Sequence, residues 1–214
     1  MQAQKLEFWY DFASTYSYLS AMRIERSAIN AGVEVVWKPF LLGPIFAAQG
    51  WNTSPFNLYQ AKGRYMFRDM QRLALARGLD FQIPADFPQN SLAAARIALV
   101  GADDGWIAAF TRAIYLAQFA EGLDIGKPAT LASILGRLPV NLGLDPAKIA
   151  VRSSGDDIKA RLKLQTAEAA RLGLFGAPSF RTSDGELFWG DDRLDQAVTW
   201  AQSQGEHGDK KFGP

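Results

Sequence analysis

Two aromatic-rich runs, KLEFWYDF at residues 5–12 and VEVVWKPFLL at 33–42, flank a segment of helical period, and no other feature narrows the fold as far. Each run has the length and the aromatic or β-branched content of a buried strand. Between them Tyr18, Ala21, Ile24, Ala28 and Ala31 recur at helical spacing, with Ser14 placed as an N-cap and Gly32 as a stop. The spacing predicts a single helix from Ser14 to Gly32. Strand, helix and strand with short joints form a βαβ unit, so the two strands should be parallel with a right-handed crossover.

Beyond residue 42 the pattern changes in kind. From 43 to about 57 the chain reads as irregular, with Pro44, Pro55 and two glycines; helical patterns then cover 58–77, 91–102, 106–121, 129–138 and 156–172. A short helix opens at Asp145-Pro146, with Asp as the cap and Pro as the first helical residue. No strand pattern interrupts this block. Strands return in PSFRTSDGELFWG at 178–190, where Ser183-Asp184-Gly185 marks a hairpin, and 191–202 closes the chain as a helix. The order βαβ, helical block, αββα predicts an α/β fold with a helical insertion, and it resembles a thioredoxin-like domain with a helical domain inserted between its halves. The expected division is 1–44 and 173–204 for the thioredoxin-like part, 156–172 as a bridging helix, 45–155 as the insertion and 205–214 as a flexible tail.

Composition acts by exclusion. The 214 residues contain no cysteine and one histidine, His207, in the tail. Thiol–disulfide exchange and thiolate metal sites are therefore closed to this chain, and so are imidazole triads and imidazole-bound zinc in its body. No metal site is expected; the acidic pairs Asp103-Asp104 and Asp156-Asp157 read as helix-start charges. With 23 basic and 22 acidic residues, no charge excess favours nucleic acid or an anionic membrane. A small uncharged or anionic organic substrate suits it better. Neither a signal core nor an apolar run of membrane-spanning length is present, and a cytoplasmic location is the expectation.

The first strand-to-helix corner, DFASTYSYL at 11–19, is where thioredoxin-like folds carry their chemistry, and here Ser14 and Ser17 stand where redox members carry cysteines. This corner resembles that of the kappa-class glutathione transferase and 2-hydroxychromene-2-carboxylate isomerase family, in which an Asp is followed by Ser-Pro-aromatic-Ser-aromatic-Leu. Further blocks resemble the family in order: Asn52, KGRYMFRDMQR at 62–72, FPQNSL at 87–92, EGLDI at 121–125, FGAP at 175–178 and GDDR at 190–193. The 87–92 and 121–125 blocks look like the bacterial isomerase branch. One departure is Thr15, where the family usually has Pro; it adds a second hydroxyl beside Ser14.

The resemblance implies that the missing thiol is that of bound glutathione, with Ser14 as the catalytic residue stabilising its thiolate. By itself Ser14 reads as a plain helix cap. The implied cofactor contacts are Asn52, Lys62 for the glycyl carboxylate, the backbone of Ala177 and Pro178 at a cis peptide bond, and Asp191 and Asp192 for the γ-glutamyl end. Asp191 stands where the family more usually has Ser. Phe12, Tyr16, Trp51 and Asn90 are candidates for a second pocket that takes an aromatic substrate. The implied activity is glutathione-dependent cis–trans isomerisation of 2-hydroxychromene-2-carboxylate or a related aryl enone acid, in the breakdown of aromatics such as naphthalene, by a homodimer. A kappa-like transferase or peroxidase, and a non-catalytic thioredoxin-like binding module, are the rival expectations.

Overall fold

The structure, a computed structural model, describes residues 4–51 and 55–204; Asn52 and the 205–214 tail lie outside the described residues. Strand β1 (Gln4–Tyr10) is central, parallel to β2 (Val33–Pro39) and antiparallel to β3 (Ser179–Thr182), which pairs antiparallel with β4 (Leu187–Trp189). The sheet order is β2-β1-β3-β4. These pairings give a thioredoxin-like arrangement: a βαβ half, a hairpin half, and helices between them.

Both faces of β1 are covered, which explains its unbroken apolar reading. Leu6, Phe8 and Tyr10 point to one side, each fully buried, and Trp9 points to the other against Phe40, Ile45, Ala169 and Leu174. Phe8 sits in register with Trp37 and Phe180, whose rings lie 5.2 and 5.5 Å from its own. These cross-strand aromatic pairs fix which residues of β1 face the helices.

The segment after β1 departs from the expected single helix. It divides into α1 (Thr15–Ala21) and α2 (Ile24–Asn30), with the last turn of α1 tightened so that Arg23 N donates to Ser20 O at 3.1 Å. The break turns the Arg23 guanidinium toward Asp195 and the Asp191 backbone. A second departure is α3 (Leu42–Ala48), in a stretch that reads as irregular from its Gly and Pro; Pro44 falls in the first turn, where no N–H is required. The short α4 (Pro55–Leu58) then precedes α5 (Gln60–Ala76).

The remaining helices are α6 (Leu92–Asp104), α7 (Ile107–Phe119), α8 (Pro128–Arg137), α9 (Pro146–Ser153), α10 (Asp156–Arg171) and α11 (Leu194–Gln204). Asp145 caps α9 through Ala147 N and Lys148 N, and the hairpin turn lies at 183–185, as the sequence predicts. Asp156 and Asp157 open α10, but Asp103 and Asp104 close α6 instead of starting a helix. Their carboxylates pair with Arg152 of α9 and Arg161 of α10 at 2.6–3.2 Å. The helical block shares its apolar core with the sheet: Tyr10, Phe12 and Tyr18 meet Tyr115 of α7 at 5.2–6.3 Å. Among the described residues no helix is long and apolar enough to cross a membrane.

Candidate functional site

Asp11 builds the corner. Its carboxylate accepts from Ala13 N at 2.9 Å and Leu42 N at 2.7 Å, and its carbonyl accepts from Ser14 N and from the Tyr115 hydroxyl, each at 2.9 Å. One side chain thus ties the β1–α1 turn to the start of α3. It is 3% exposed, and burial pushes its carboxyl above the usual carboxylate range against those hydrogen bonds.

Ser14 is the N-cap of α1, accepting from Ser17 N at 3.2 Å and donating its own proton to Ala177 O at 2.8 Å. The Ala177–Pro178 peptide bond is cis. The corner and the chain just before β3, far apart in sequence, are therefore joined by a hydroxyl hydrogen bond. Around it opens a cleft of about 1560 Å³, walled by the corner, α3, α5, the 87–92 loop and the 175–178 and 189–193 segments. Ser14 and Thr15 both line it.

The cleft gathers most of the residues singled out in the sequence. Lys62 reaches it from α5, exposed, with Nζ 5.1 Å from the Tyr59 ring centroid. Tyr16 lines it and donates to Asp69 Oδ2 at 2.9 Å, while Asp69 Oδ1 accepts from Arg72 at 2.9 Å. Burial and the neighbouring Asp69 push the Tyr16 phenol above its usual pKa, so it stays protonated at ordinary pH. Trp51 lies in the wall, 5.7 Å from Phe46. Asn90 also lines the cleft, its Oδ1 accepting from Leu92 N at the start of α6.

Asp191 and Asp192 are adjacent in sequence and opposite in circumstance. Asp192 is exposed at the cleft rim, 3.3 Å from Arg193. Asp191 is 3% exposed, and its carboxylate accepts from the Ser20 hydroxyl at 2.8 Å and from Arg77 at 2.6 Å. Phe12 stands outside the cleft altogether: its ring is 1% exposed and packs on Tyr10 and Tyr115 at 5.4 and 5.2 Å. Alternation along the chain past β1 carries it to the core side.

Several lining residues escape a reading of the sequence alone. Tyr65, Met66, Asp69 and Leu73 of α5, in line with the expected Lys62, and Arg77 just after the helix all reach the cleft. Their three- and four-residue spacing is a helical stripe. Its mixture of charge and apolar groups hides it from a search for amphipathic faces. The 87–92 and 121–125 blocks also meet: the Gln89 side chain accepts from Ile125 N at 3.0 Å, which holds the 87–92 loop against the cleft. At the rim, Phe175 and Trp189 pack with ring centroids 4.8 Å apart and planes inclined at 60°.

Comparison with known proteins agrees with this architecture. The family model described as the DSBA-like thioredoxin domain matches residues 5–199. The chain is 30% identical over 196 residues to a 2-hydroxychromene-2-carboxylate isomerase of Sphingobium xenophagum, covering 89% of this chain and 94% of that protein. It is 26% identical over 209 residues to glutathione S-transferase kappa 2 of Caenorhabditis elegans, covering 90% and 89%. A solved structure of a 2-hydroxychromene-2-carboxylate isomerase superposes with a TM-score of 0.78 at 25% identity, over 96% of this chain and 100% of the other.

Proposed function

Since the chain belongs to the DSBA-like thioredoxin family, in its branch of 2-hydroxychromene-2-carboxylate isomerases and kappa-class glutathione transferases, we propose that it is a glutathione-dependent cis–trans isomerase of 2-hydroxychromene-2-carboxylate or a related aryl enone acid. The observation that carries this reading is Ser14: in a chain without cysteine, a capping hydroxyl faces Ala177 O across the floor of a large cleft. The donor set around it suits a tripeptide thiol. A hydroxyl for sulfur, a backbone edge at Ala177, the cation of Lys62 and the exposed carboxylate of Asp192 border the same cleft. Asn52, outside the described residues, belongs to the same proposal. Held by Ser14, the Ala177 backbone, Lys62 and Asp192, glutathione would supply a nucleophilic thiolate for reversible addition to the conjugated carbon, the chemistry that permits rotation about the former double bond.

Holding a thiol of pKa about 8.5 mostly ionised near neutrality needs a shift of roughly two units, or about 2.7 kcal/mol. Because α1 has only seven residues, its dipole supplies the low end of the usual ~0.3–1 kcal/mol. The Ser14 hydroxyl must supply most of the rest, within the ~1.5–3 kcal/mol of a hydrogen bond to a charged group. In the structure that proton is given to Ala177 O. To serve the thiolate Ser14 must turn that proton from Ala177 O to the cleft, which leaves Ala177 O to accept an N–H from an extended peptide laid against it. Tyr16, with its proton committed to Asp69, offers its oxygen as an acceptor to a substrate hydroxyl.

This reading carries with it a reducing, cytoplasmic setting and a homodimeric assembly. The kappa-class relative favours a second reading, conjugation or reduction of electrophiles at the same thiolate. Glutathione consumption separates them, since the isomerase regenerates it. The test monitors the ultraviolet spectrum of 2-hydroxychromene-2-carboxylate with and without glutathione, in the wild type and in Ser14→Ala. A glutathione-dependent rate that falls by about tenfold or more in the variant is expected, tenfold being 1.36 kcal/mol of barrier. A rate indifferent to glutathione would overturn the proposal.

A further inference from the structure

A second hollow, of about 760 Å³, opens between α3, α6 and α10, on the far side of α3 from the cleft. Leu41, Pro44 and Gln49 line both, as do Leu92 and Phe175 at the margins, so α3 and its ends form most of the shared wall. Along α10 the lining residues are Lys159, Leu162, Lys163, Thr166, Ala167 and Ala170, one helical stripe. It runs for about 16 Å. The floor is aliphatic, from Ile45 and Ala48 to Leu162 and Leu174, with Phe175 the one aromatic at its end.

The charge is one-sided. Arg96, Lys159 and Lys163 line this hollow and no carboxylate does. Lys159 has an outside partner in Asp156, at 3.0 Å. Arg96 Nε is buried and has no hydrogen-bond partner among the described residues. A buried guanidinium nitrogen without an acceptor is costly, and a planar carboxylate matches its donors in pairs.

We propose that this groove binds a medium-chain fatty carboxylate, its headgroup on Arg96 with Lys163 beside it and its alkyl chain along the apolar stripe of α10. The span suits an extended chain of about a dozen carbons. The aliphatic floor favours an alkyl chain over a flat ring system, and the three cations select an acid over an alcohol. The site is independent of Ser14 and of the thiol chemistry assigned to the neighbouring cleft.

Calorimetric titration of the full chain with dodecanoate, kept below micelle formation, tests this. One molecule per chain is expected to bind saturably, with dodecan-1-ol at least about tenfold weaker. Arg96→Gln should weaken dodecanoate at least about tenfold. Ala167→Trp, which fills the groove from an exposed helix position without changing charge, should abolish binding. No heat of binding at about 1 mM would refute the proposal. So would wild-type affinity retained in both variants, or loss of binding in Ala47→Trp, which obstructs the cleft alone, with retention in Ala167→Trp.

Discussion

Replacing Asp191 with alanine would distinguish a structural carboxylate from a ligand contact. Asp191 joins three parts of the chain: Ser20 of α1 donates to it at 2.8 Å, Arg77 after α5 at 2.6 Å, and Arg23 Nε lies 3.5 Å away while its Nη2 donates to the Asp191 carbonyl at 2.8 Å. Removing one member of a buried ion pair typically costs about 3–5 kcal/mol, because the remaining charge is left without compensation. Here the guanidinium partners are 20% and 27% exposed, and Arg23 keeps Asp195 at 2.6 Å, which lowers the cost. A loss of about 3 kcal/mol is expected, or roughly 6–12 °C in Tm for a chain of this size. A thermal melt and a double-mutant cycle with Arg77→Met measure it, the coupling between the two sites being about 1 kcal/mol or more. A melt within about 2 °C of wild type, with coupling under about 0.5 kcal/mol, would refute the structural account. If glutathione binding vanished in that same stable variant, the carboxylate would serve the ligand instead.

Two glycines inside helices should respond in opposite directions. A Cβ on Gly101 would lie 2.6 Å from the buried Trp106 ring and 3.1 Å from Ile107 Cα, so Gly101→Ala should destabilise by about 1–3 kcal/mol despite its better helix propensity. Gly136, exposed in α8 with open space around its Cβ position, should gain about 0.4–1 kcal/mol as alanine; equal melts for the two variants would contradict the packing argument. For Asp11, burial raises the folded-state pKa above the unfolded value, so the folded chain holds the proton longer and this group's contribution to stability falls as pH rises from about 4 through the raised pKa. Urea unfolding of wild type and Asp11→Asn across that range should show the difference, wild type minus variant, falling with increasing pH. A difference that grows would mean the carboxyl is held below its usual value.

Most element types and their order could be read from the sequence because they depend on local signals. The apolar period of 5–12 and 33–42, the Asp145-Pro146 cap and the Ser183-Asp184-Gly185 turn act within a few residues, and each appears where expected. The two misread segments show where local signals fail. Residues 15–31 keep helical period throughout, yet α1 ends at Ala21 as Arg23 swings to partners more than 160 residues away. Residues 42–48 carry the composition of a loop and form α3, whose first N–H is held by Asp11.

The site divides in the same way. A corner with a capping serine is a local fact, visible in DFASTYSYL, and with no cysteine in the chain and one histidine in its tail the chemistry is restricted to hydroxyls, carboxylates, lysines, backbone groups or a borrowed reactive group. Tertiary structure alone decided that Ser14 meets Ala177 across 163 residues, that a stripe of α5 forms a wall of the cleft and that Phe12 turns to the core. It also separated Asp191 from Asp192, placing one carboxylate beneath two guanidinium groups and leaving its neighbour in solvent. The reason is physical. Periodicity states that a residue will be buried or capped, whereas the energy of a buried charge or hydroxyl depends on partners that only the packed chain brings within bonding distance.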